Sequence, residues 1–210
     1  MKTNRKLIIG LIFLAFIMLQ IPQNTQGQMI VEVSGGAGYS FMNVEAWTGY
    51  NPDSYINGIK LDDWSQLMYQ VYLQFYPLNF FGRLAIGVEG GYQNYLSYDL
   101  KERYDDGSGQ GWKKRYREDR YSAWRVLILA RGYIVKGFFA EVGGGMYFVR
   151  DYIEWGGEVS LGYEIKLTKN LYLPIKVRTE FIFDSDGNII APGATFGLAF
   201  HFGGKKRKNR

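Results

Sequence analysis

Beyond residue 28 the chain is written in twos. Val31, Val33, Ala37, Tyr39 and Phe41 alternate with Glu32, Ser34, Gly36, Gly38 and Ser40. Leu67, Tyr69, Val71, Leu73 and Phe75 alternate with Gln66, Gln70, Tyr72 and Gln74. Leu84, Ile86, Val88 and Tyr92 then oppose Ala85, Gly87, Glu89, Gly91 and Gln93. A fourth run sets Trp124, Val126, Ile128 and Ile134 against Arg125 and Arg131, with Leu127 and Leu129 blurring the inner face. In the fifth, Phe138, Val142, Met146 and Phe148 face away from Glu141, Gly143, Gly145 and Tyr147. The sixth opposes Val159, Leu161, Tyr163, Ile165 and Leu167 to Glu158, Ser160, Gly162, Glu164 and Lys166. The seventh opposes Leu173, Ile175, Val177, Phe181 and Phe183 to Lys176, Arg178 and Glu180. The eighth opposes Phe196, Leu198, Phe200 and Phe202 to Thr195, Gly197, Ala199 and His201.

A period of two puts successive side chains on opposite faces of a strand. Each run has about the 9–11 residues that a tilted strand needs to cross a bilayer, and no apolar run after residue 28 is long enough for a spanning helix. A soluble β-sandwich hides its apolar face and wets the other. Charges and glycines alternating with bulky apolar residues instead suit a closed barrel whose outside meets lipid and whose narrow inside is filled. The predicted fold is therefore all-β: an eight-stranded antiparallel up-and-down transmembrane β-barrel.

The connections alternate in length. Short ones are expected at Pro77–Gly82, Lys136-Gly137 and Thr168–Asn170, and longer or more polar ones at Met42–Asp63, Tyr104–Lys114, Asp151–Gly157 and Asp184–Asn188. Such barrels keep their short turns in the periplasm, which puts both termini there. The third and fourth runs are longer than a membrane requires. Their polar outer parts, Tyr98–Arg103 and Lys114–Arg120, predict a hairpin that projects into the medium, with turn chemistry at Asp105-Asp106-Gly107-Ser108-Gly109.

The ends add context. Lys2, Arg5 and Lys6 precede an apolar run, Leu7–Leu19, and then small residues at Thr25 and Gly27. That order reads as a signal peptide cleaved after Gly27. The expected organisation is a signal peptide at residues 1–27, the barrel at 28–203 and a basic periplasmic tail at 204–210. With no cysteine there is no lipid-anchor cysteine, disulfide or thiolate chemistry. The net charge of +5 invites a nucleic-acid reading. Three of the bases lie in the signal peptide and five in Lys205–Arg210, so the body itself is at −3. A slightly acidic body has no footprint for a phosphate backbone, and nucleic acid is rejected as a partner.

Thr195, Gly197, Phe200 and Phe202 together read polar-x-Gly-x-x-aromatic-x-aromatic. This resembles the closing-strand signal of bacterial outer-membrane barrels. With the eight runs across Met29–Phe202, the chain resembles the small eight-stranded outer-membrane proteins of the OmpA/OmpX type. Its Gly-rich and Tyr-rich strands also resemble the Bacteroidetes outer-membrane β-barrel families. The resemblance implies the outer membrane of a Gram-negative bacterium, contact with membrane lipid and handling by the barrel-assembly machinery during biogenesis. It implies a non-enzymatic structural or adhesion role through extracellular loops that meet a protein or a glycan. Members of these families also include PorT-like secretion accessories and lipid A-modifying enzymes, and a narrow channel is a further alternative. One departure stands out: the family's final aromatic is commonly the last residue, whereas Phe202 is followed by Gly203–Arg210.

The candidate chemistry lies inside. Glu32, Glu89, Glu141, Glu158, Glu164 and Glu180 share the inner parity with Arg125, Arg131, Lys166, Lys176 and Arg178. An eight-stranded lumen is wide enough only for side chains, and charges buried there must be paired. A salt-bridged plug is expected, with no catalytic residues, metal or cofactor. His201, the sole histidine, is expected as a packed core residue at the periplasmic end. Asp184-Ser185-Asp186-Gly187-Asn188 resembles the start of a calcium loop but runs into Ile189-Ile190, so it is read as a hairpin turn. Trp47, Tyr50, Tyr55, Trp112 and Tyr116 are candidate interaction residues, because exposed aromatics suit sugar and protein surfaces. For the first loop, a place in the interfacial aromatic girdle is the equal alternative.

Overall fold

The computed structural model describes residues 29–42, 57–60, 65–80, 83–105, 112–135, 137–149, 152–183 and 187–203; for 57–60, 99–105 and 112–119 it describes the backbone alone. The signal-peptide segment, the basic tail, Trp47, Tyr50 and Tyr55 lie outside the described residues. The strands are β1 (Met29–Tyr39), β2 (Asn57–Lys60), β3 (Leu67–Phe80), β4 (Leu84–Asp105), β5 (Trp112–Val135), β6 (Phe138–Val149), β7 (Tyr152–Lys166), β8 (Leu171–Phe183) and β9 (Ile189–Phe202).

Eight of these close into a barrel. β1 pairs with β3, then β3 with β4, and each later strand with the next through β9, all antiparallel. β9 returns to β1 with Met29 opposite Phe202 and Gly38 opposite Gly193. The seam is tight because it must be. A Cβ on Gly197 would collide with Ser34 Oγ and the Val33 carbonyl, so only glycine lets β9 approach β1 there. At the opposite end Gly137 turns the β5–β6 hairpin at φ 84°, a conformation that favours glycine.

The barrel is inside out relative to a soluble protein. Trp124, Ile128 and Phe196 are 64%, 68% and 66% exposed, whereas Arg125, Arg131 and Glu180 are at most 1% exposed. A soluble monomer does not clothe itself in a continuous apolar surface of this kind, and fully buried charges occur only when paired. Aromatics mark the two edges of the apolar band. Tyr39 and Phe41 stand 5.1 Å apart and Tyr92 and Trp124 5.2 Å apart at the long-loop end; Phe138 and Tyr163 stand 4.6 Å apart at the short-turn end. Paired girdles flanking a lipid-facing band are the signature of a transmembrane barrel.

Some expectations need correction. β3 runs through Pro77 to Phe80 with a bulge between Phe75 and Leu78, because proline has no N–H for the ladder and is carried on an irregularity. The Asp151–Gly157 loop is not a loop. Tyr152, Glu154, Trp155, Gly156 and Gly157 are paired with β6, and only residues 150–151 separate the two strands. Within the expected first loop, Asn57–Lys60 forms β2, a four-residue strand laid on the outer part of β4 with Asn57 opposite Glu102.

β4 and β5 are 22 and 24 residues long, well beyond the roughly 9–11 that the membrane requires. β6 leaves β5 at Ala123 opposite Val149, and β3 leaves β4 at Tyr69 opposite Asn94. Past that level β4 and β5 continue as a ladder with each other, and β4 also with β2, as far as Asp105 opposite Trp112; no other described strand pairs with them there. A bulge between Asn94 and Leu96 marks the level at which the ribbon departs, and it switches the inward parity from Gln93 to Leu96 and Tyr98.

Candidate functional site

The lumen is filled by charge. Its lower knot is centred on Arg131, presented by β5. The guanidinium donates from Nε to Glu141 Oε2 at 2.8 Å, from Nη1 to Glu164 Oε1 at 3.0 Å, and from Nη2 to Glu32 Oε2 at 2.7 Å and Gln74 Oε1 at 3.0 Å. Its Cζ lies 4.5 Å from the centre of the Tyr76 ring and 4.3 Å from that of Phe139, so cation–π contacts with both rings help to hold it. Lys176 Nζ completes the knot at 2.6 Å from Glu32 Oε1, and it donates to Gln74 Oε1 at 2.8 Å. Neutral donors occupy further lone pairs: Ser34 to Glu32, Tyr133 to Glu164, and Tyr76 in a short bond to Glu141.

The upper knot joins Arg125 of β5 and Arg178 of β8. Arg125 Nε stands 2.6 Å from Glu89 Oε1, and its Nη1 contacts Glu180 and Gln93. Arg178 reaches Glu180 at 3.1 Å and Glu89 at 3.4 Å, and it contacts Glu158. The Tyr72 ring lies beneath three cations, at 4.6 Å from Arg178, 4.9 Å from Lys176 and 5.3 Å from Arg125, and its hydroxyl meets Thr195 Oγ1 at 2.7 Å. Gln74 couples the two knots. Its Nε2 donates to Glu89 at 2.6 Å and Glu141 at 3.1 Å while its Oε1 accepts from Arg131 and Lys176.

All six expected glutamates, with Arg125, Arg131, Lys176 and Arg178, come together here. Lys166 does not. It is exposed at the short-turn end, because parity gives the face of a strand but not its depth, and β7 ends at this residue. Among the described residues the lumen thus holds these six acids against four Arg and Lys bases, with tyrosine, serine and glutamine donors also serving the carboxylates. Every one of the six carboxylates touches at least one buried cation. Chemically this is a set of inter-strand cross-links rather than a free acid–base pair. The sequence does not single out as partners Tyr72, Tyr76 and Tyr133, or Tyr95, whose hydroxyl donates to Glu180 at 3.3 Å. Tyr72 carried the parity signal, but its role needs the cross-barrel distances.

His201 is buried beside Tyr172, with ring centroids 4.1 Å apart, and its Nε2 lies 3.5 Å from Glu164 Oε2. Of the closing-strand residues, Thr195 faces the lumen, Gly197 lies at the seam, and Phe200 and Phe202 point outward. Trp112 and Tyr116 occupy β5 positions opposite Asp105 and Lys101 on the projecting ribbon. Among the described residues no group of three or more His, Asp or Glu side chains could hold a metal ion.

The closed pairing, lipid-facing exterior and charged filling define a small eight-stranded barrel of the outer-membrane kind. No family model matches the chain, and no curated protein matches it. Solved structures similar to it include the outer membrane protein OprG of Pseudomonas aeruginosa, at 13% identity over 84% of this chain and 96% of that one, with a TM-score of 0.43. The N-terminal β-barrel domain of OprF from the same organism is 11% identical over 84% and 99%, with a TM-score of 0.40. The attachment invasion locus protein Ail of Yersinia pestis, in complex with the heparin analogue sucrose octasulfate, is 12% identical over 83% and 99%, with a TM-score of 0.39. At such identities the shared feature is the barrel, and the strand pairing establishes that without them.

Proposed function

We propose that the chain is a non-enzymatic outer-membrane protein whose plugged barrel anchors an external interaction surface. The observation that carries this reading is the continuation of β4 and β5 beyond the lipid-facing band into a three-stranded sheet with β2. In that sheet the edge of β5 from Trp112 to Asp119 is paired with no strand other than β4 among the described residues. An unpaired strand edge offers a row of backbone donors and acceptors to an extended segment of another protein. Trp112 and Tyr116 on that strand, and the aromatics of the first loop, would add contacts for a protein or glycan. The ion-paired lumen supports anchoring rather than transport, since each cross-link ties neighbouring or opposed strands together.

The test is a chain in which Leu100–Arg117 is replaced by a short glycine-containing turn, expressed on the surface of an outer-membrane-bearing host. The shortened barrel should retain heat-modifiable gel mobility and lose attachment of the cells to protein-coated or glycan-coated surfaces. Unchanged attachment by a folded, shortened barrel overturns the proposal. A changed lipid A mass spectrum on expression of the intact chain would favour lipid modification instead.

A further inference from the structure

The outer edge of β5 has an uneven charge pattern. From Trp112 to Asp119 this strand is laddered to β4, and β4 in turn to β2, so β5 lies outermost among the described strands of the ribbon. Along it the sequence runs Lys113-Lys114-Arg115-Tyr116-Arg117 and then Glu118-Asp119. Four bases thus occupy five consecutive positions, and two acids end the run. The period of two places Lys113, Arg115 and Arg117 on one face of the sheet and Lys114 on the other.

The neighbouring strand does not balance these bases. Arg115 stands opposite Glu102, but Lys113 is opposite Tyr104, Arg117 opposite Leu100 and Lys114 opposite Arg103. Like charges directly opposite on paired strands are destabilising, so the ladder is weakened at Lys114. On the far side of β4, β2 brings Asn57, Gly58 and Ile59 to the rows of Glu102, Lys101 and Leu100, and none of the three is acidic. Among the described strands, the position left from which opposite charge can be supplied in register is the outer side of β5. The basic run is also about as long as a common strand, roughly 5–6 residues.

We propose that the outer edge of β5 takes up, by strand addition, an extended acidic segment of another protein, with carboxylates in the rows of Lys113, Lys114, Arg115 and Arg117. This rests on the external interaction surface proposed above and names the partner class it fits. A strand edge presents backbone N–H and C=O groups in alternation, and an extended peptide answers both. A polyanionic glycan answers the bases but has no amide ladder of matching spacing. Each pair of opposite charges on adjacent strands strengthens the addition by up to about fivefold.

The test uses the full mature chain folded into phosphatidylcholine nanodiscs and three labelled peptides, read by fluorescence anisotropy. One alternates glutamate with threonine, one alternates lysine with threonine, and the third is the glutamate peptide N-methylated throughout, which keeps the charges and has no backbone N–H. The glutamate peptide should bind at least about tenfold more tightly than either of the others. That preference over the lysine peptide should collapse at 1 M NaCl, where the screening length drops to about 3 Å. The variant Lys113→Gln, Lys114→Gln, Arg115→Gln, Arg117→Gln should lose at least about tenfold in affinity for the glutamate peptide while keeping heat-modifiable mobility. Equal binding of the N-methylated peptide overturns strand addition in favour of a simple polyanion site. Equal binding of the lysine peptide, or no binding of the glutamate peptide, overturns the acidic partner. If the chain lacking Leu100–Arg117 loses surface attachment while the intact chain shows no acidic preference, this proposal falls and the interaction surface stands. Unchanged attachment by that shortened chain removes both.

Discussion

Replacing Arg131 with methionine keeps much of the side chain's volume and removes the charge at the centre of the lower knot. Four N–H donations go with it, to Glu141, Glu164, Glu32 and Gln74. Hydrogen bonds to charged groups are worth about 1.5–3 kcal/mol each, but their sum overstates the loss, since Lys176 still serves Glu32 and lies 3.6 Å from Glu141. Glu164 is left with Tyr133 and His201 alone. Removing one partner from a buried ion pair costs about 3–5 kcal/mol, because the other charge remains uncompensated. We therefore expect a loss of about 4 kcal/mol. In urea unfolding from lipid vesicles, with a slope of about 2 kcal/mol per M, the midpoint should fall by about 2 M.

Two companions make the measurement decisive. Adding Glu164→Gln to Arg131→Met removes the stranded charge and should restore about 1–2 kcal/mol, a non-additivity expected only of contacting groups. Lys166→Gln, on the exposed end of β7, should stay within about 0.5 kcal/mol of the parent. A loss below about 1 kcal/mol for Arg131→Met would refute the reasoning, as would equal effects at Arg131 and Lys166.

Other positions test other parts of the structure. Ile128→Arg, at a 68% exposed site, would be harmless on a wetted surface but should cost about 2–4 kcal/mol if that surface meets the lipid core, read as a lowered urea midpoint in vesicles. Gly197→Ala places a methyl against Ser34 and the Val33 carbonyl and should sharply reduce the folded, faster-migrating band after refolding, because the β1–β9 seam cannot close. Gln74→Leu removes donations to Glu89 and Glu141 and the acceptor for Arg131 and Lys176. It should destabilise by about 2–4 kcal/mol, whereas the same change at Gln66, a turn residue outside both knots, should be nearly neutral in the same titration.

What the sequence made legible was parity. Trp124 and Ile128 outward with Arg125 inward, or Phe196 and Leu198 outward with Thr195 inward, follow from period two alone, whereas closure of the last strand against the first was implied by the resemblance of Thr195–Phe202 to an outer-membrane closing strand. Depth was not legible. Lys166 and Lys176 both carry inner parity, but only Lys176 lies far enough from a strand end to be enclosed. Glu154-Trp155-Gly156-Gly157 looks like a loop because its glycines and acid break the apolar rhythm. In the barrel Tyr147 packs where a Gly156 side chain would stand, so the glycine marks a crowded interior instead of a turn. β2 is four residues with one bulky apolar side chain, Ile59, too short to show a period. Its existence depends on the extra length of β4, a property of a distant segment.

The charged filling also explains why one register wins. In a lipid-facing barrel, burial of apolar surface does not tell inside from outside, because the exterior solvent is itself apolar. A slip of one residue exchanges the faces of a strand. For β5 such a slip would carry Arg125 and Arg131 to the lipid side, at about 2–4 kcal/mol each near the midplane, and would take one of their cations from the carboxylates of Glu89, Glu141 and Glu180. The penalty for misregister is thus larger than the net worth of the pairs themselves, which an apolar core of equal volume could match. On this argument, replacing Arg131, Glu141 and Glu164 together by apolar residues of similar size should leave the unfolding free energy within about 1 kcal/mol of the parent while lowering the yield of correctly folded barrel. A triple variant that refolds as cleanly as the parent would show that register is set elsewhere, by the turns or by the glycine seam.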